Sequence, residues 1–193
     1  MEPQVFGHEH TLKKLEAVEA YLGMFTTALK DKFDLLYIDA CAGSGSSIPK
    51  CALGKDGETS DQIPLLEPAE VVADTDDIIV GSALRALDVK HPFDRYLFND
   101  KKRKNVNALR REVKARFSHL EERVTITQFD ANEMLLRICQ TTNWRNTRAV
   151  VFLDPFGLQI KFGTLQALAN THAVDVWYLV PVFAMFRQVR GDG

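Results

Sequence analysis

Four short apolar runs in this chain each give way to an aspartate: "LLYID" to Asp39, "RYLFND" to Asp100, "VTITQFD" to Asp130 and "AVVFLD" to Asp154. A fifth run, "VDVWYLVPV", follows them. Apolar runs this short and this continuous read as strands buried on both faces. Helical patterns separate them. "TLKKLEAVEAYLGMFTTALK" sets Leu12, Leu15, Val18, Leu22 and Phe25 at helical spacing, with Thr11 as a candidate cap. "GSALRALDV" restarts the pattern with Ser82 as a candidate N-cap, and "MLLRICQ" and "KFGTLQALANT" supply two more helices. Strand and helix in alternation predict βαβ units, hence an α/β fold with a mainly parallel sheet and helices on both faces.

Ligands of open α/β sheets bind beyond the carboxyl ends of the strands. One aspartate there is an ordinary turn former. Four at equivalent strand ends point to a polar ligand along that edge. The first run continues into a glycine turn, "DACAGSGSS", with Gly43 and Gly45. No GxxxxGK[ST] phosphate loop occurs, and Ile48 stands where a GxGxxG dinucleotide fingerprint needs its third glycine. No GxSxG elbow argues for a hydrolase either.

Composition excludes several classes. The chain has 193 residues, 46% hydrophobic and 26% charged, with a formal net charge of −2. That suits one soluble domain, expected to span residues 1–193 with a long loop over 46–78. No apolar run approaches the ~20 residues of a membrane-spanning helix, and "MEPQVFGHEH" is too polar for a secretory signal. A cytoplasmic setting is the default expectation. Cys41, Cys51 and Cys139 are three, widely spaced and without a CxxC pair, so no disulfide framework or metal site is expected. His8 and His10 lack neighbouring ligands of suitable type. The segment Lys101–Arg116, "KKRKNVNALRREVKAR", is strongly basic, with Val106, Leu109, Val113 and the following Phe117 on one face. It reads first as a solvated helix face and second as a phosphate-binding strip. Arg85, Lys90 and Arg95 are candidates to extend it.

The spacing Asp39-x-x-x-Gly43-x-Gly45 resembles the first motif of S-adenosylmethionine-dependent methyltransferases. More of the chain carries a closer likeness. "HTLKKLEAVEAYL", "YIDACAGSG", "IVGSALRAL", "FLDPFGLQI" and "VDVWYLVP" together resemble the three-Cys-motif partner family, TcmP. The family's cysteines belong to a partner protein, so those of this chain are not its motif.

This resemblance implies a Rossmann-like methyltransferase fold and S-adenosylmethionine as cofactor. Asp39, Ala40, Gly43 and Gly45 would meet its methionine part, Asp100 its ribose hydroxyls, and Asp130 with Ala131 its adenine edge. Thr11, Lys14 and Ser82 would lie near the same pocket. Asp154, Pro155 and Phe156 would form the catalytic acceptor site, with Gly157 where base-methylating relatives carry an aromatic. The methyl acceptor is then a nucleic acid or another macromolecule, and a three-Cys-motif protein is the implied partner. The alternative is a non-catalytic, cofactor-binding scaffold that engages another protein or nucleic acid. Methyltransferase sheets carry two further strands after the fifth. This chain ends at "RQVRGDG", soon after Pro181, which leads us to expect a sheet truncated after strand five.

Overall fold

The structure, a computed structural model, describes residues 6–47, 79–155 and 157–180, with side chains from Lys13 onward except Ser47 and Ile79. The elements run α1 (Phe6–Leu29), β1 (Asp34–Asp39), β2 (Ser46–Ser47), β3 (Ile79–Val80), α2 (Ser82–Leu87), β4 (Arg95–Asn99), α3 (Arg103–Arg116), a 3₁₀ turn (Ser118–Arg123), β5 (Val124–Thr127), α4 (Ala131–Thr141), β6 (Thr147–Leu153), α5 (Phe162–Ala169) and β7 (Val174–Tyr178). Five strands form one parallel sheet in the order β5-β4-β1-β6-β7. This is the parallel α/β architecture expected from the alternation, and it is of the Rossmann-like type that the resemblance implied.

Strand β1 sits in the middle because it is apolar on both faces. Leu35 and Tyr37 join one core cluster and Leu36 and Ile38 the other, as the period of two requires. The first cluster takes Leu15, Val18 and Leu22 from α1, Leu84 from α2, and Leu109 and Val113 from α3. The second takes Met134 and Leu135 from α4 and Leu168 from α5. Helices therefore cover both faces. The chain leaves β1 towards β4 on one side and later returns to β6 on the other, so the sheet order reverses at β1. A crevice at the carboxyl ends is the usual result of that switch.

Several local expectations change. Helix α1 begins at Phe6, so Thr11 lies inside it and is not its cap. The cap of α2 is Gly81, and Ser82 is the first helical residue. Its hydroxyl goes instead to Asp39. Asp130 ends no strand. It lies three residues beyond β5 and caps α4, accepting from the backbone N–H groups of Asn132 and Glu133. The long loop is closed at its base by a small antiparallel pair, Ser46–Val80 and Ser47–Ile79. Its interior, with Cys51, lies outside the described residues, as do Phe156, residues 181–193 and the side chains of His8, His10 and Thr11.

Candidate functional site at the carboxyl edge of the sheet

The glycine turn after β1 is built by backbone constraints. Gly43 and Gly45 have φ of 62° and 88°, a region where a Cβ is disfavoured. At Gly43 a Cβ would meet nothing within 4 Å, because that face of the turn opens onto a cavity. At Gly45 it would come within 2.9 Å of Leu109 Cδ1. The Gly45 carbonyl also accepts the Gly81 N–H at 2.8 Å. One glycine thus serves approach from outside, and the other serves packing against α2 and α3.

Asp39 is fully buried behind this turn. Its carboxylate accepts from the Ser82 hydroxyl at 2.5 Å and the Cys41 N–H at 3.2 Å. Loss of hydration pushes its pKa up to about 7, with Asp154 and Asp100 adding to the rise and the two hydrogen bonds opposing it. The carboxylate joins the turn to α2. Asp100, also buried, accepts the Gly43 N–H at 3.1 Å and the Lys102 N–H at 2.7 Å. It braces the turn from β4 while its carboxylate lines a cavity.

Two adjoining cavities occupy the edge. The first, about 340 Å³, is lined by Ala40, Asp100, Asp130, Ala131 and Phe129 among others. The second, about 490 Å³, is lined by Gly43, Gly45, Lys14, Ser82 and Asp154. Cys41, Lys102, Asn105 and Pro155 border both, so the two form one continuous crevice. Each is within the ~300–1,000 Å³ typical of small-molecule sites.

Three of the four aspartates singled out by the sequence, Asp100, Asp130 and Asp154, line this crevice, and Asp39 lies buried behind the turn. Burial pushes the Cys41 thiol up to about 12, and Asp39, Asp100, Asp154 and Asp130 all act on it in the same direction. At Asp130, desolvation is the largest influence and acts upward. The Asn132 side chain and N–H, the Glu133 N–H and Lys101 outweigh it and hold the carboxyl below its ordinary value. The Asp154 residue is exposed overall, yet partial loss of hydration raises its carboxyl, with Lys14 pulling the other way. Pro155 beside it is buried.

Two asparagines that the sequence did not single out hold the walls in place. The Asn99 Nδ2 donates to the carbonyls of Ala40 (3.2 Å) and Phe129 (3.1 Å). Its Oδ1 accepts from Thr127 Oγ1 and the Phe129 N–H, each at 2.9 Å. Asn132 is likewise buried. Its Nδ2 donates to Gln159 O and Asp130 Oδ1, and its Oδ1 accepts from the Lys161 N–H and Thr164 Oγ1. The one available signal was position, since each is a polar residue next to an acid where a strand gives way to a loop or helix. Arg85 is held by Glu19 at 2.7 Å and the Val80 carbonyl, and lines neither cavity. No group of three His, Cys, Asp or Glu able to hold a metal occurs among the described residues.

No helix among the described residues is long and apolar enough to cross a membrane. No protein-family model matches the chain, and no curated protein matches it. Among solved structures it is similar to the Legionella pneumophila protein LPL1258, described with the family model DUF519. That match has 17% identity and a TM-score of 0.52, over 88% of this chain and 69% of that one. A conserved hypothetical protein of Streptococcus pyogenes also matches, at 16% identity and a TM-score of 0.41, over 79% of this chain and 69% of that one. What the Legionella likeness carries is the fold alone: a parallel-sheet α/β chain of Rossmann-like type.

Proposed function

We propose that the crevice binds S-adenosylmethionine and that the chain is a methyltransferase of the TcmP type. The observation that supports this most is an open glycine turn at the topological switch point, with Asp100, Asp130 and Asp154 lining the adjoining cavities and Asp39 buried behind it. The crevice lining, with Asp100, Asp130 and Asp154 beside Lys14, Lys101 and Lys102, suits a ligand that carries charges of both signs. S-adenosylmethionine carries an ammonium and a sulfonium. The donor set fits it. Asp100 keeps unused lone pairs for ribose hydroxyls, since each oxygen already accepts only one N–H. Asp130 and Ala131 suit an adenine edge in the first cavity. Gly43 gives the methionine part backbone access in the second, where Lys14 suits its carboxylate. Asp39 then serves through Cys41 and Ser82, by fixing the turn.

When bound, the cofactor supplies a methyl group already activated by its sulfonium charge. The chain's own contribution is alignment. Asp154, bordering the second cavity beside buried Pro155, is placed to accept a hydrogen bond from an acceptor amine. Its raised pKa suits a group that takes up a proton. Phe156 would complete the acceptor site. A second reading, a cofactor-binding scaffold without turnover, is favoured by Gly157, which leaves this loop without the aromatic of base-methylating enzymes. A three-Cys-motif protein is the partner under either reading.

Calorimetry with S-adenosylmethionine and S-adenosylhomocysteine is the direct test. The unmodified protein should bind both, and Asp100→Ala should weaken binding about tenfold or more through lost hydrogen bonds to a charged group. Asp154→Ala should still bind but stop transfer of radiolabelled methyl groups into lysate nucleic acid or protein. An unmodified protein that binds neither compound ends the proposal. Binding without transfer into any fraction selects the scaffold.

A further inference from the structure

The cationic stretch over α3 conflicts with what folding alone favours. Every Lys and Arg between 101 and 116 is exposed, and Glu112 is the one acid in that stretch. Lys114 and Arg116 occupy the last turn, where the macrodipole welcomes them, but four of the eight cations, Lys101 to Lys104, gather at the N-terminal end. Lys102 is the cap residue, Arg103 and Lys104 follow, and the first turn holds no acid. Positive charge at a helix N-terminus opposes the macrodipole and costs a few tenths of a kcal/mol or more per residue. Four cations against the macrodipole, and eight exposed cations beside one acid in a chain of net charge −2, suit a surface that meets a polyanion.

Lys101, Lys102 and Phe129 all line the first cavity. Phe129 is 52% exposed. Its backbone is nevertheless fixed, with Asn99 accepting its N–H and donating to its carbonyl. The ring is thus an apolar plate on a rigid mount, next to a cationic strip and above a cavity. Polyanions with flat apolar faces are nucleic acids, and unpaired bases are the ones free to stack on such a plate.

We propose that the outer face of α3 and Phe129 together form a binding surface for single-stranded nucleic acid. Phosphates lie along Lys104 and Arg111, and one base stacks on Phe129 at the mouth of the cavity. The surface deepens the methyltransferase reading by naming its acceptor class, but its test does not depend on the cofactor.

Fluorescence anisotropy with a short unstructured labelled oligonucleotide, its duplex and heparin as competitor provides the test. We expect the single strand to bind more tightly than the duplex, with a salt slope of about 0.7 per phosphate contact. Lys104→Glu/Arg111→Glu should weaken binding about tenfold or more and flatten that slope. Phe129→Ala should weaken the single strand about tenfold and leave the duplex unchanged, and Phe129→Tyr should restore it. Equal affinity for single strand, duplex and heparin overturns the proposal, as does a Phe129→Ala protein that binds the single strand normally. If Phe129→Ala weakens S-adenosylhomocysteine but not the oligonucleotide, the ring belongs to the cofactor and the proposal fails. Oligonucleotide binding without any S-adenosylhomocysteine binding overturns the cofactor reading and leaves this surface standing.

Discussion

At the scale of residues, Asp39 combines a structural duty with a free-energy cost. A buried carboxyl whose folded-state pKa is about 7, against an ordinary 3.8, keeps its proton longer in the folded chain than in the unfolded one. Between those values the unfolded state binds fewer protons, so stability falls as pH rises. Its contribution is best below about pH 4 and is lost on the way to 7. Asp39→Asn should remove this dependence. The difference between the two proteins in denaturant midpoint should grow across that window, by at most about 1.4 kcal/mol per pH unit. Parallel pH profiles for the two would show that the carboxyl is not desolvated as the structure has it. The sequence made Asp39 conspicuous but not its surroundings. An acid four residues before a glycine looks the same whether it faces a ligand or, as here, Ser82, a residue 43 positions away. Only the packing of α2 on the turn decides between them.

Among elements, strands were the most legible, because a continuous apolar run has few alternatives. All five sheet strands overlap the runs read from the sequence, β1 starting one residue and β6 two residues before the apolar run begins. Boundaries were less legible where side-chain partners set them. Asp130 looked like a strand end because it follows "VTITQF", yet the capping bonds to Asn132 and Glu133 assign it to α4. The two-residue pair β2 and β3 left no trace, since pairing this short is set by the Gly45–Gly81 contact and not by local pattern. Asn132 ties α4 to the loop before α5 and to Thr164 in α5, all from one buried amide. Asn132→Ala strands the Lys161 N–H and the Gln159 carbonyl. It should cost about 2–3 kcal/mol in urea unfolding. Hydrogen exchange should speed up first in residues 157–164. A loss below about 0.5 kcal/mol would mean that water replaces these bonds freely.

For the whole molecule, the central sheet makes the two cores one cooperative body. β1 contributes to both clusters through alternate residues, so neither face can lose its packing while the other keeps it. The chain's two tryptophans sit on opposite faces, Trp177 against the first cluster and Trp144 against the second. In Trp144→Phe and in Trp177→Phe, the remaining tryptophan's fluorescence should follow far-UV circular dichroism through a single urea transition. A fluorescence midpoint displaced from the dichroism midpoint in either variant would show that the faces unfold separately. Charge is also unevenly spread at this scale, with acids and lysines together in the crevice and exposed cations continuing along the helix beside it. A net charge of −2 conceals that local pattern.

Asn99 has a consequence of another kind. Its amide uses both donors on carbonyl oxygens and its oxygen on two donors. Aspartate has the same outline and differs by one codon letter, yet it would turn two attractive contacts with carbonyls into oxygen facing oxygen. The position therefore distinguishes nitrogen from oxygen at a single atom, with no change of volume to absorb the error. The smallest change in outline is therefore one of the least tolerable here. What looks in the sequence like one more polar residue before an aspartate is a place where the gene has almost no room to wander.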